Sequence, residues 1–131
     1  MIKFIKLIFI FLFIFGSHVK ADWFFLQDIS TGGKFYTDVE TLTDDGEYLY
    51  VWTLQDLDKP AISDGKSMLS VKQYDKIDCK LKRSGTLQYI FYEGNMGKGK
   101  FTTFQRDQLK WKYFPPGTMM GSFIDILCKN R

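Results

Sequence analysis

KSMLSVKQYDKIDCKLK, residues 66–82, is the stretch that decides the fold of this chain. Its side chains alternate with a period of two, which predicts one long β-strand. One face of that strand is mostly apolar and is expected to be buried: Leu69, Val71, Ile77, Cys79 and Leu81. The opposite face is expected to be solvated rather than a site for a polyanion, and it carries Lys72, Lys76, Lys80 and Lys82. Cys79 is therefore predicted to point toward the interior.

The C-terminal stretch follows a different period. From Thr118 onward, apolar residues recur at helical spacing: Met120, Phe123, Ile124, Leu127 and Cys128. This pattern predicts an amphipathic helix whose apolar stripe faces the sheet, with Thr118 as its N-cap. Because Cys79 and Cys128 are both predicted to face inward, the two periods together predict a Cys79–Cys128 disulfide.

The N-terminus has the parts of an export signal. A basic start precedes the apolar residues 7–15 (LIFIFLFIF), and small residues at Val19 and Ala21 form a V-x-A cleavage site. Nine apolar residues are too few to span a bilayer, which takes about 20. We therefore predict a signal peptide at 1–21 and a mature domain at 22–131 with no transmembrane segment. Export places that domain where a disulfide can form.

Loss of the signal peptide changes the charge and the chemistry of the chain. Three of the 18 basic residues lie in it, so the mature domain is neutral, with 15 basic and 15 acidic residues. A neutral domain offers no general argument for nucleic acid or an anionic membrane as partner. The only histidine, His18, is also lost, and a disulfide leaves no thiolate. This excludes Ser-His-Asp and Cys-His catalysis and the common zinc sites, and we expect no cofactor.

Between the signal peptide and the helix, the sequence is mostly β. Short apolar or alternating runs predict further strands at residues 23–29, 34–37, 47–56, 86–93 and 100–105. Residues 38–42 are expected to form a helical turn, and residues 57–65 a loop. The predicted fold is α+β: an antiparallel sheet of about five to six strands, with the C-terminal helix packed on one face and tied by the disulfide.

Aromatic residues indicate where the domain binds. Strand 47–56 is apolar on both faces, with Tyr48, Tyr50, Trp52 and Leu54 opposite Leu49 and Val51. Strand 86–93 likewise sets Leu87, Tyr89 and Phe91 opposite Ile90 and Tyr92. One helix can cover only one face of the sheet. The other face must be covered by a second copy or by loops, or be exposed as a Tyr-rich binding surface.

The glycine-rich segment 94–99 (GNMGKG) is a second candidate for recognition. A phosphate-binding loop would be followed by a helix, whereas a strand pattern follows here, so a hairpin loop is favoured. Met96 is expected to be exposed there beside Lys98. The predicted binding residues are Tyr48, Tyr50, Trp52, Tyr89, Tyr92, Met96 and Lys98.

An ordered series of short motifs resembles the surface-adhesin protein E family of Gram-negative bacteria. The matching pieces are Trp23, residues 35–39, 51–54, 65–67, 74–79 and 92–99, Trp111, residues 115–118 and Cys128. The resemblance implies a sheet with a disulfide-held C-terminal helix, often dimeric, and adhesion to host matrix and serum proteins. The sequence has no cysteine beside the cleavage site to accept a lipid. We therefore expect a periplasmic, secreted or outer-surface protein that is not lipid-anchored.

These observations predict an exported, non-enzymatic domain that binds a protein or an envelope macromolecule. It is either a host-matrix adhesin or a periplasmic envelope protein, and a homodimer is possible. Two alternatives remain: a structural subunit of an envelope assembly, and a small hydrolase using carboxylates such as Asp75, Asp78 and Glu93. The hydrolase requires two carboxylates about 5–10 Å apart in a concave pocket. Asp78 is expected to be solvated or paired with neighbouring lysines.

Overall fold

A computed structural model describes residues 21–129 and Arg131. The predicted signal peptide lies outside the described residues except for Ala21. Within the part of the chain that is described, no helix is long and apolar enough to cross a bilayer.

The described residues form one antiparallel sheet and one α-helix, which confirms the predicted α+β fold. Strands β1 to β6 follow one another across the sheet in chain order, and the two-residue β7 pairs with the start of β5. The strands are β1 (Phe24–Asp28), β2 (Gly33–Asp44), β3 (Leu49–Ser63), β4 (Lys66–Asp78), β5 (Arg83–Tyr92), β6 (Phe101–Gln105) and β7 (Lys112–Tyr113). The helix, α1, spans Met119–Lys129.

Helix α1 begins and packs as its sequence pattern predicts. The Gly121 N–H donates to the Thr118 Oγ1 at 3.1 Å, so Thr118 caps the first turn. The apolar stripe of α1 is buried against three residues of β3 and β4. The resulting core consists of Leu49, Val51, Ile77, Phe123, Ile124 and Leu127.

The predicted disulfide is present. Cys79 and Cys128 are bonded, with their Cα atoms 5.7 Å apart, and both lie against the edge of the core. The bond joins the residue that follows β4 to the last turn of α1. The helix is therefore held to one face of the sheet by a covalent link as well as by apolar packing.

Two predicted irregular segments are strand instead. The helical turn predicted at 38–42 is wrong, because β2 continues to Asp44 and accommodates the extra residues as a bulge against β3. The loop predicted at 57–65 is also wrong, because β3 continues to Ser63. Pro60 lies where the register between β3 and β4 shifts, and such irregular positions are where a strand tolerates proline.

The period-two pattern of residues 66–82 ends earlier than predicted. Strand β4 stops at Asp78 and a turn follows, so Leu81 is 50% exposed rather than buried. Asp78 is buried, and its Oδ2 accepts a hydrogen bond from the Arg83 Nε at 2.9 Å. The expectation of a solvated or lysine-paired Asp78 is therefore wrong, because the turn folds this carboxylate back onto Arg83.

Candidate binding face

Cross-strand pairing divides the side chains of the central strands into two faces. Leu49 and Val51 point toward α1, and their side of the sheet is called the helix face. The alternate residues of β3 point the other way, onto a side called the open face. Because paired residues point in the same direction, Tyr50 shares the open face with Lys76, and Trp52 shares it with Tyr74.

Three stacked rings occupy the middle of the open face. The Trp52 and Tyr74 rings are 4.9 Å apart at 30°, and the Tyr74 and Tyr50 rings are 6.0 Å apart at 27°. All three side chains are half-buried. The Tyr50 hydroxyl donates to Asp45 Oδ2 at 3.0 Å, which fixes the outer ring. These three residues are called the aromatic platform.

Two lysines of β4 lie against rings on the same face. Lys76 Nζ is 4.1 Å from the centre of the Tyr48 ring, and Lys72 Nζ is 5.0 Å from that of Tyr92. At such distances an ammonium is attracted to the face of the ring. The predicted solvated lysine row is therefore wrong for Lys72 and Lys76, which are half-buried among aromatic residues.

The glycine-rich loop covers one end of the open face. Asp56 Oδ1 accepts hydrogen bonds from the Met96 N–H at 2.7 Å and from Asn95 Nδ2 at 3.0 Å. The Gly97 N–H donates to Ser70 Oγ at 2.9 Å, and Ser70 is fully buried. Met96 is consequently half-buried rather than exposed, whereas Lys98 is exposed.

Trp111 covers the opposite end. Its ring is 5.8 Å from that of Tyr48, and the Arg83 guanidinium carbon lies 4.3 Å from its centre. Lys76 Nζ is 5.9 Å from the same ring. The open face is therefore covered by loop segments at both ends and left half-exposed at the aromatic platform.

The predicted binding residues do not all lie together. Tyr48, Tyr50, Trp52 and Tyr92 share the open face, and Met96 and Lys98 belong to the loop at its end. Tyr89 pairs with Gln73 and lies on the helix face, opposite Tyr92, as the period-two alternation of residues 86–93 predicts. Tyr74 is not among the binding residues predicted from the sequence. The alternation that set the lysines on one face of β4 places Tyr74 between Lys72 and Lys76, so it could have found this residue.

Comparison with known proteins identifies the family. The family model described as surface-adhesin protein E matches residues 23–129. The chain belongs to this family. Haemophilus influenzae protein E has a similar structure, with a TM-score of 0.65 and 19% identity over 86% of this chain and 87% of that one.

Two further crystal structures of that protein agree. Its crystal form II gives a TM-score of 0.62 and 20% identity over 79% of this chain and 91% of that one. The structure from non-typeable H. influenzae gives a TM-score of 0.64 and 19% identity over 87% of this chain and 80% of that one. At such identities the likeness shows the fold alone. No curated protein sequence matches the chain.

The helix face carries a polar cavity that bears on the hydrolase alternative. It has a volume of about 180 Å³ and lies between β3, β4, β5, the segment 106–114 and the start of α1. Asp75 lines it and is only 5% exposed. Asp75 accepts hydrogen bonds from the hydroxyls of Thr53 at 2.9 Å and Thr86 at 2.6 Å. Burial nevertheless raises the pKa of Asp75 to about 6.

The carboxylates that the hydrolase alternative invoked do not converge. Asp75 is the only carboxylate among the described residues that line the cavity. Asp78 is bound by Arg83 in the turn after β4, and Glu93 is exposed beyond the end of β5. Membership of the surface-adhesin protein E family favours a non-enzymatic function.

Proposed function

We propose that this chain is an exported adhesin-type domain that binds a protein or an envelope macromolecule through the aromatic platform and performs no chemistry. The observation that carries the proposal is the stacked series of Tyr50, Tyr74 and Trp52, half-exposed between two covering segments. Family membership supports the class of function, and the platform supports the location of the site.

The platform has the physical properties of a binding surface. Aromatic side chains bury much apolar area on contact, and few torsions must be fixed to hold them. Here mutual stacking on a regular sheet already fixes the rings, which lowers the entropy cost of binding. Lys72 and Lys76 border the platform with positive charge, so a partner with acidic groups around an apolar centre fits best.

A binding assay with paired variants tests this location. Mature domain 22–131 would be immobilised and exposed in parallel to envelope extract, matrix proteins and serum proteins. Trp52→Ser and Tyr74→Ser should abolish capture of any partner that the wild type retains. Phe24→Ser is the matched control, since Phe24 is an exposed aromatic residue on strand β1 and lies outside the aromatic platform. Equal loss with Phe24→Ser, or no loss with the platform variants, would contradict the proposal.

The location in the cell distinguishes the two versions of this function. We expect a periplasmic, secreted or outer-surface protein without a lipid anchor. Labelling of intact cells with a reagent that does not cross membranes should modify a surface adhesin. Labelling only after permeabilisation of the outer membrane would support the periplasmic envelope role and exclude host adhesion.

A second copy of the chain is a second candidate partner, with homodimerisation or assembly into an envelope structure as the result. Strand β6 lies at the end of the strand order, and its Phe101 and Phe104 side chains are 65% and 52% exposed. An unpaired strand edge with exposed apolar residues favours edge-to-edge pairing. Sedimentation of the mature domain at micromolar concentration should show a dimer, which Phe101→Lys weakens. A strict monomer would exclude self-association.

A further inference from the structure

The cavity on the helix face has a negatively charged floor. Asp75 receives one hydroxyl hydrogen bond on each oxygen, which leaves about half of its acceptor capacity unused. No basic side chain of the described residues forms an ion pair with it. A buried carboxylate without a cationic partner is unfavourable unless something else compensates for its lost hydration. The floor therefore favours a positively charged hydrogen-bond donor.

The rim of the same cavity is positively charged. Arg106, Lys110 and Lys112 all line it, and none forms an ion pair with a carboxylate of the described chain. Arg106 is held in place by Tyr89, whose hydroxyl lies 3.4 Å from Arg106 Nη2. The Arg106 guanidinium carbon is also 5.4 Å from the centre of that ring. The rim therefore favours an anionic group, and a guanidinium suits a carboxylate well.

The remaining walls limit the size of a ligand. The apolar part of the lining consists of Phe35, Phe114, Met119 and Met120. The cavity volume of about 180 Å³ is below the roughly 300–1,000 Å³ of typical ligand pockets. The enclosed part of a ligand is therefore small, although the open rim leaves room for a longer molecule to protrude.

We infer that this cavity binds a small zwitterion, a free amino acid or a short peptide, with its ammonium on Asp75 and its carboxylate against Arg106. A simple anion would satisfy the rim but face the negative floor, and a simple cation would satisfy the floor but face the positive rim. Only a ligand with both charges complements both ends. This site lies on the opposite face of the sheet from the aromatic platform, so it is independent of the proposed function.

An NMR titration of the isotope-labelled mature domain tests the inference. The probes are glycine, 4-aminobutanoate and triglycine, which place the two charges at increasing separations. N-acetylglycine keeps only the carboxylate, and glycinamide keeps only the ammonium. We expect at least one zwitterion to shift the amide signals of Asp75 and Thr86 saturably at millimolar concentration. The two singly charged controls should bind more than about tenfold more weakly.

Variants locate the site. Asp75→Asn and Arg106→Gln should each weaken binding of the best zwitterion by more than about tenfold, because each leaves one ligand charge unpaired. Lys100→Gln is the matched control, since Lys100 is exposed and lies outside the cavity lining. Arg106 lies on the rim, so its substitution remains informative if Asp75→Asn disturbs the fold.

Three results would overturn the inference. Equal binding of N-acetylglycine and glycine would show a simple anion site on the rim. Binding that survives both Asp75→Asn and Arg106→Gln would place the ligand elsewhere. Absence of any saturable shift with all three zwitterions would show that the cavity does not take this class of ligand.

Discussion

The two faces of the sheet are built in different ways. On the helix face, Val51, Ile77 and Ile124 are almost completely buried, and a disulfide joins the helix to the sheet. On the open face, the rings and lysines are half-buried, and hydrogen-bonded loops cover only the two ends. We therefore expect stability to depend mainly on the helix face, and the proposed macromolecular binding to depend on the open face. Substitutions should therefore separate the two properties.

The largest expected effect is loss of the disulfide on the helix face. Replacement of Cys79 and Cys128 by serine opens a loop with a sequence separation of 49. Because the bond restricts the unfolded chain, its removal should lower the free energy of unfolding by about 4 kcal/mol for a loop of that length. We expect a much lower midpoint of urea unfolding, with the helical circular-dichroism signal lost before the strand signal.

The same variant also tests whether the two faces are independent, if binding is measured at urea concentrations below its unfolding transition. Partner capture by the aromatic platform should survive, because the open face does not contact α1. If the double variant unfolds at the wild-type midpoint, the disulfide does not stabilise the domain. If capture is lost while the sheet stays folded, the two faces are coupled.

The second effect concerns Asp75, which lowers stability at neutral pH. Its folded-state pKa of about 6 lies above its ordinary value of 3.8, so the folded state favours the neutral carboxyl. The resulting stability is fully present below about pH 4 and is lost as the pH rises through 6. At 1.36 kcal/mol for each pKa unit, the free energy of unfolding falls by about 3 kcal/mol over this pH range.

Asp75→Asn tests this directly, because asparagine is nearly isosteric and uncharged. Urea unfolding at pH 7.5 should show a variant more stable than the wild type by up to about 3 kcal/mol. Near pH 4 the two proteins should be almost equally stable. A variant that is less stable at pH 7.5 would mean that the hydrogen bonds to Thr53 and Thr86 outweigh the cost of burying the charge.

The third effect concerns the loop on the open face. Asp56→Ala removes the acceptor of the hydrogen bonds from Asn95 and Met96. We expect the free energy of unfolding to fall by about 1–3 kcal/mol. Amide hydrogen exchange at Met96 and Gly97 should accelerate, while exchange in β3 and β4 stays slow. Asp58→Ala is the matched control, because Asp58 is an exposed carboxylate on the same strand. Fast exchange at Met96 in the wild type would show that the loop does not cover the face.

Much of the helix face could be predicted from the sequence. The helical period of the C-terminal stretch and the period-two pattern of residues 66–82 each predicted one inward-facing cysteine, and together they predicted the disulfide. The positions of these residues are determined mainly by the burial of apolar side chains, which produces a regular period in the sequence.

The open face was less predictable because its contacts are polar and distant in sequence. Asp56 and Met96 are joined by a hydrogen bond between residues far apart in the chain, and no local pattern encodes it. A bulge inserts Leu87 into β5, so that Thr86 and Tyr89 share the helix face, and a strict period-two interpretation cannot detect it. Aromatic composition indicated a binding surface, but strand register determines which rings share it.

The smallest effect tests whether the lysines of the open face are part of its structure. Lys76→Gln removes the ammonium from the Tyr48 ring, 4.1 Å away, and should cost about 0.5–1 kcal/mol. Lys76→Arg keeps a cation over the ring and should restore most of that loss, whereas Lys80→Gln, at an exposed turn residue, should cost almost nothing. Urea unfolding of the three variants measures the difference. If Lys76→Gln and Lys80→Gln have equal effects, Lys76 belongs to a solvated lysine row, as the sequence pattern alone predicts. If only Lys76→Gln destabilises, the cation is part of the packing that holds the rings beside the aromatic platform.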